Sequence, residues 1–101
     1  MDAAPLSERE LELIRGVLRR HPEVRVATLY GSRAKGIHSE YSDVDLSLQG
    51  EVTPLGAEAI AAELEELPTP YRFDVQALQA IQHPALLEHI CRVGVEIYPG
   101  A

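Results

Sequence analysis

The chain has little cysteine and little positive charge. Its 101 residues include a single cysteine, Cys91, so an internal disulfide is excluded. Cys91 lies among Leu87, Ile90 and Val93, and this setting predicts a core position for its thiol. Lysine and arginine number 9 against 16 aspartate and glutamate residues, which gives a formal net charge of −7 at pH 7. Because such a surface repels a phosphate backbone, we expect no general nucleic-acid binding.

Long apolar runs are also lacking. No stretch reaches the roughly 20 residues that span a bilayer, and the sequence has no secretory signal pattern, so we expect a cytoplasmic protein that does not bind membranes. Hydrophobic residues still make up 46% of the chain, which argues against disorder. The length suits one domain, 1–101, that has its own core and no room for a second substrate-binding module.

Apolar periodicity divides the chain into alternating helices and strands. Ser7 and Glu10 form a capping box at the start of the first helix. Helices with apolar stripes are predicted over about residues 7–20, 53–67 and 84–93. Strands are predicted at 24–30, 43–48, 71–77 and 95–98. This alternation favours a mixed α+β fold in which helices cover a small sheet.

Two carboxylates lie two residues apart on the predicted strand 43–48. Its polar and apolar residues alternate, so one face is buried and Asp43, Asp45 and Ser47 share the opposite face. Two residues of strand rise separate the carboxylates by roughly 6 to 7 Å, which lets both reach one metal centre or a pair of metals. Asp74 lies on the polar face of a later strand. If the two strands are neighbours, three carboxylates converge, which is the minimum set for a two-metal phosphoryl-transfer site.

A glycine-serine pair ends the predicted strand 24–30. Gly31 can turn freely, and Ser32 is a natural N-cap for a short helical turn. The free backbone N–H groups of such a turn favour a phosphate. Arg33 and Lys35 add positive charge beside it in an otherwise acidic chain. This segment therefore predicts a phosphate-binding turn.

Other phosphate-binding and metal-binding motifs do not fit. A Walker loop would need Lys-Ser/Thr at Ile37-His38, and a calcium loop that starts at Asp43 would need glycine at Leu48 and glutamate at Pro54. The histidines lack paired ligand spacing, so zinc is not expected. Each acid alone is compatible with a solvated strand face, and the glycine-serine pair with an ordinary turn. Their combination and spacing favour nucleotidyl transfer.

In combination, the segments 31–36, 42–46 and 73–75 resemble the G-S, D-x-D and third-aspartate motifs of minimal nucleotidyltransferases. These proteins belong to the DNA polymerase beta-like nucleotidyltransferase superfamily. The resemblance extends from about Val24 to Tyr98 and implies a mixed sheet. It also implies an enzyme that uses ATP and two Mg²⁺ ions. The residues expected to bind metal and act in catalysis are Asp43, Asp45 and Asp74, and those expected to bind nucleotide are Gly31, Ser32, Arg33, Lys35 and Ser42.

The resemblance further implies a protein partner. Many such small proteins are encoded beside a ribonuclease of the HEPN class, so the expected role is that of an antitoxin that adenylylates a hydroxyl group of its toxin. Two other functions stay open. One is a non-catalytic module that neutralises a partner by binding it. The other is nucleotidylation of an antibiotic, for which a homo-oligomer would have to replace the extra domain that such relatives use.

Overall fold

The computed structural model describes residues 6–31 and 43–99. In chain order, these ranges contain helix α1 (Glu8–Arg19), strands β1 (Val24–Tyr30) and β2 (Val44–Gly50), helix α2 (Pro54–Glu65), strand β3 (Phe73–Ala77), a 3₁₀ turn (Leu78–Ala80), helix α3 (Pro84–Val93) and strand β4 (Val95–Tyr98). The predicted order of helices and strands is confirmed. No helix within these ranges is both long enough and apolar enough to cross a membrane.

The first two helices begin where side chains satisfy free backbone N–H groups. The backbone N–H of Glu10 donates to the Ser7 hydroxyl at 3.1 Å, and the Ser7 N–H donates to the Glu10 carboxylate at 3.0 Å. The predicted capping box is therefore confirmed. The Thr53 hydroxyl caps α2 by accepting from the Gly56 N–H at 3.0 Å, immediately before Pro54 in the first turn. Local sequence thus sets where these helices start.

The sheet is mixed, with the strand order β3-β2-β1-β4. β1 is antiparallel to both of its neighbours, β2 and β4, while β2 and β3 are parallel. A parallel pair needs a crossover connection, and here α2 supplies it. The mixed α+β fold expected from the sequence is confirmed.

Helices pack on both faces of the sheet. α1 and α2 cover the face that holds the main core, which includes Ile14, Leu18, Leu29, Leu46, Ile60 and Leu64. On the second face, Ile81 and Ile90 of α3 and the segment before it form a smaller cluster with Tyr30. Ser47 also lies on this second face and is fully buried. The prediction that β2 buries only one face is therefore wrong at Ser47, since alternation along one strand cannot reveal what packs above it.

Cys91 is exposed, so its predicted core position is wrong. Successive residues on a helix point about 100° apart, because the helix has 3.6 residues per turn. Ile90 is the buried residue of α3, and Cys91 next to it points away from the sheet. Proximity in sequence to apolar residues was a poor guide here.

Candidate functional site

Acidic residues from two neighbouring strands meet on the second face of the sheet. β2 and β3 pair in parallel, with Asp45 directly opposite Asp74. Neighbouring strands lie about 4.8 Å apart, and paired residues project to the same side of the sheet. Asp43 stands two residues before Asp45, immediately ahead of β2, and its charge acts on Asp45. The strands are thus neighbours, which is the condition on which the predicted convergence of three carboxylates depended.

Asp45 is the most enclosed of these acids. It is partly buried, whereas Asp43 and Asp74 are exposed. Burial raises the pKa of the Asp45 carboxyl from 3.8 to about 6, and the negative charges of Asp74 and then Asp43 add to this rise. The three carboxylates therefore repel one another, and a cation bound among them would relieve that repulsion.

The donor atoms at this position suit a hard divalent cation. Mg²⁺ prefers carboxylate oxygens, and three carboxylates project from one end of the β2–β3 pair. In residues 6–31 and 43–99, however, no three acidic, histidine or cysteine side chains are already grouped as ligands of one ion. Asp43 and Asp74 are exposed, so their side chains can rotate toward Asp45 without displacing packed neighbours. The chemistry of the carboxylate donors fits Mg²⁺, and a site for this ion among the three acids would require their side chains to rotate toward one another.

Tyr30 borders the acids from the other side. It pairs with Asp45 across β1 and β2 and is only 4% exposed. The amide of Gln76 donates a long hydrogen bond of 3.5 Å to its hydroxyl. Burial raises the pKa of Tyr30 to about 12, with further contributions from the charges of Asp45 and Asp74. Tyr30 therefore stays protonated at neutral pH and packs at the end of the strand against the α3 side of the sheet.

Gly31 lies against Asp45 at the end of β1. Its φ of +81° is in the left-handed region that favours glycine. A Cβ atom at this position would overlap the Oδ2 atom of Asp45. The close approach of the β1 end to the acid therefore depends on the absence of a side chain.

His89 also reaches this site, although its sequence position gave no sign of it. The backbone N–H of Gly31 donates to Nε2 of His89 at 3.2 Å. His89 belongs to α3, and 58 positions separate it from Gly31 along the chain. Because the pair has no local spacing pattern, only the packing of α3 on the sheet brings the two residues together.

Several predicted nucleotide-binding residues lie outside the described ranges. They are Ser32, Arg33, Lys35 and Ser42. Their contacts with phosphate stay predictions. Of the residues predicted from the sequence, the structure places Gly31 and Asp74 beside Asp45, and Asp43 lies two residues before Asp45.

Comparison with known proteins identifies both a family and a fold. The family described as polymerase beta, nucleotidyltransferase, matches residues 12–100. Curated proteins gave no match.

Solved structures with the same fold include toxin-antitoxin complexes. A mutant of the MntA-HpeT toxin-antitoxin complex has a TM-score of 0.75 and 17% identity over 90% of this chain and 73% of that chain. A toxin-antitoxin complex with AMP-PNP has a TM-score of 0.72 and 20% identity, over 95% and 75% of the two chains. A complex of tri-AMPylated HEPN toxin with MNT antitoxin, from Shewanella oneidensis, has a TM-score of 0.70 and 17% identity, over 95% and 74%. At these identities, the likeness shows a shared fold.

Proposed function

The chain belongs to the polymerase beta nucleotidyltransferase family, and from that premise we propose that it transfers AMP from ATP to a hydroxyl group of a HEPN-type toxin and acts as the antitoxin of that toxin. The observation that carries the proposal is the pairing of Asp45 with Asp74 on adjacent strands, with Asp43 beside them and Gly31 against Asp45. The solved complexes with AMP-PNP and with an AMPylated HEPN toxin support the choice of nucleotide and partner.

The acidic residues are assigned to metal binding. Asp43 and Asp45 are proposed to hold two Mg²⁺ ions, and Asp74 to share one of them. Bound there, the ions would supply positive charge against the triphosphate and favour ionisation of the acceptor hydroxyl. With a pKa of about 6, Asp45 is mostly ionised at pH 7 and can act as a ligand.

Asp74 is assigned to the acceptor side of the reaction. It is exposed on β3, an edge strand of the sheet, so a hydroxyl group carried by another protein can reach it. In the proposed step, the hydroxyl oxygen forms a bond to the α-phosphorus of ATP while the bond to pyrophosphate breaks. Asp74 accepts the proton that the hydroxyl loses. The products are AMP linked to the partner and free pyrophosphate.

The end of β1 is assigned to the triphosphate. Because Gly31 has no side chain, phosphate oxygens can approach the backbone beside Asp45. Ser32, Arg33, Lys35 and Ser42 are proposed as the remaining nucleotide-binding residues. Together they would hold the β- and γ-phosphates so that pyrophosphate leaves opposite the attacking oxygen.

Co-expression with a candidate HEPN toxin tests this proposal. Intact mass spectrometry of the toxin should show added AMP, and both this addition and the neutralisation of toxicity should disappear in the Asp43→Asn/Asp45→Asn variant. Glu51→Gln/Glu58→Gln is a matched control, because it removes two negative charges from exposed positions outside the site. If the wild-type protein protects cells while the toxin in those cells carries no added AMP, the proposal is contradicted.

A second candidate function is neutralisation by binding alone. Solved structures of the same fold include complexes of a toxin with its antitoxin, which is compatible with neutralisation by binding. Full protection by the Asp43→Asn/Asp45→Asn variant, at matched expression, would select this function.

A further inference from the structure

His89 lies beside the proposed nucleotide site and is held there by two separate contacts. Its Nε2 accepts the hydrogen bond from the Gly31 N–H at 3.2 Å. Its ring meets the ring of Tyr30 edge-on, with centroids 6.2 Å apart and planes inclined by 80°. Tyr30 is itself buried and pairs with Asp45 across the sheet. The imidazole thus links α3, to which His89 belongs, to Gly31 and Tyr30 beside the acids.

Gly31 stands just beyond the last paired residue of β1. Pairing with β2 ends at Tyr30, and pairing with β4 ends at Leu29. The sheet therefore gives the Gly31 N–H no acceptor, and a partly buried N–H without an acceptor is costly. His89 supplies this acceptor. For Nε2 to accept, the ring must carry its proton on Nδ1.

We propose that His89 is a positioning residue that fixes Gly31 for nucleotide binding; this inference rests on the proposed function. Gly31 adopts a φ of +81° and lies so close to Asp45 that a Cβ atom would overlap the carboxylate. A small rotation at Gly31 would change its spacing from Asp45, where the triphosphate is proposed to bind. His89 acts through Gly31 and need not touch the nucleotide.

A competing role for the same contact makes the opposite prediction. If phosphate oxygens replaced His89 as the acceptor of the Gly31 N–H, the histidine would compete with the nucleotide. Removal of the imidazole acceptor would then tighten nucleotide binding. Removal of a positioning contact would weaken it.

Two variants separate these roles. His89→Phe keeps an aromatic ring against Tyr30 but has no acceptor, whereas His89→Gln has an amide oxygen that can reach the position of Nε2. We expect the Kd for Mg²⁺-AMP-PNP to rise on the order of fivefold in His89→Phe, the factor that corresponds to one ordinary hydrogen bond. His89→Gln should restore most of the affinity. In AMP transfer, KM should rise in His89→Phe and kcat should change little.

Nuclear magnetic resonance of the wild-type protein tests the contact without any variant. A scalar coupling through the hydrogen bond, between the Gly31 nitrogen and Nε2 of His89, should be measurable in the protein without nucleotide. It should persist when Mg²⁺-AMP-PNP is added. Absence of the coupling, or its loss on nucleotide binding, would overturn the positioning role even if a variant failed to fold.

The outcomes distinguish this inference from the proposed function. Wild-type protein that binds AMP-PNP, together with a His89→Phe variant that binds it equally well or more tightly, would overturn the inference alone. Wild-type protein that shows the coupling but binds no nucleotide would overturn the proposed function and the inference with it. Weaker binding in His89→Phe with recovery in His89→Gln supports both.

Discussion

Replacement of Asp45 by asparagine should stabilise the metal-free protein at neutral pH. The pKa of this carboxyl rises from 3.8 to about 6 on folding, so ionised Asp45 disfavours the folded state. A pKa rise of about two corresponds to a loss of at most roughly 3 kcal/mol in the free energy of unfolding. Because Asp45 is only partly buried, solvent screens its charge. We therefore expect the free energy of unfolding to increase by about 1 kcal/mol in the Asp45→Asn variant. For a domain of this size, that gain is a Tm increase of about 5 °C.

The effect of pH on this difference has a definite sign. Below pH 3.8 the Asp45 carboxyl is protonated in both the folded and the unfolded protein, and it contributes no penalty. As pH rises from 3.8 to about 6, the unfolded protein releases this proton first, so the folded protein loses stability. Above that range the penalty is constant. The stability of Asp45→Asn relative to wild type should therefore grow between about pH 4 and pH 7 and then level off.

Urea denaturation in EDTA, repeated from pH 4 to pH 8, measures this difference. Glu51→Gln is the control, because it removes one negative charge at an exposed position away from Asp43 and Asp74. It should not reproduce the pH-dependent gain. A variant Asp45→Asn that is no more stable than wild type at pH 7.5, or whose advantage does not vary with pH, would refute the reasoning from carboxylate repulsion.

Further predictions concern ligands and the glycine. Mg²⁺-AMP-PNP at about a hundredfold over its Kd should add roughly 2.7 kcal/mol to the free energy of unfolding and raise Tm by about 10 °C or more in thermal denaturation. The Asp43→Asn/Asp45→Asn variant should show no such shift, and an unchanged wild-type Tm would contradict the proposed site. Ser32→Ala should weaken AMP-PNP binding in calorimetry, while Asp74→Asn should leave most binding intact and lower kcat on the order of a hundredfold; the reverse pattern would contradict these roles. Gly31→Ala should lower stability in urea denaturation by about 1 kcal/mol or more, because its φ is positive and its Cβ would overlap Asp45; unchanged stability would show that the strand end adjusts freely.

Features set by neighbouring residues were predictable from the sequence. The capping box of Ser7 and Glu10 and the strand Val24–Tyr30 depend on interactions within a few positions, and both are present as predicted. The alternation around Asp45 also placed this acid correctly on the face opposite the main core. Each of these signals is local, so tertiary packing had little opportunity to override it.

Features set by the packing of α3 were not predictable. His89 contacts Gly31, from which it is separated by 58 positions in the sequence, and neither residue type predicts such a contact. Ser47 is buried because the second face is partly covered, whereas Cys91 is exposed because it lies on the outer side of α3. Periodicity shows which residues of one segment share a face. It does not show which other segment lies on that face.

The register between β2 and β3 determines whether the acids meet at all. A slip of one residue would send Asp74 to the main-core face and leave Asp45 opposite an apolar side chain. Such a slip is opposed by the core, because Leu46 pairs with Val75 beneath the acids, and both are buried. The backbone also fixes the start of the pair, since the N–H of Val44 donates to the carbonyl of Arg72 at 2.8 Å. The apolar residues of the main core therefore hold Asp45 and Asp74 opposite each other against the repulsion between their charges, and this opposition does not depend on a bound cation.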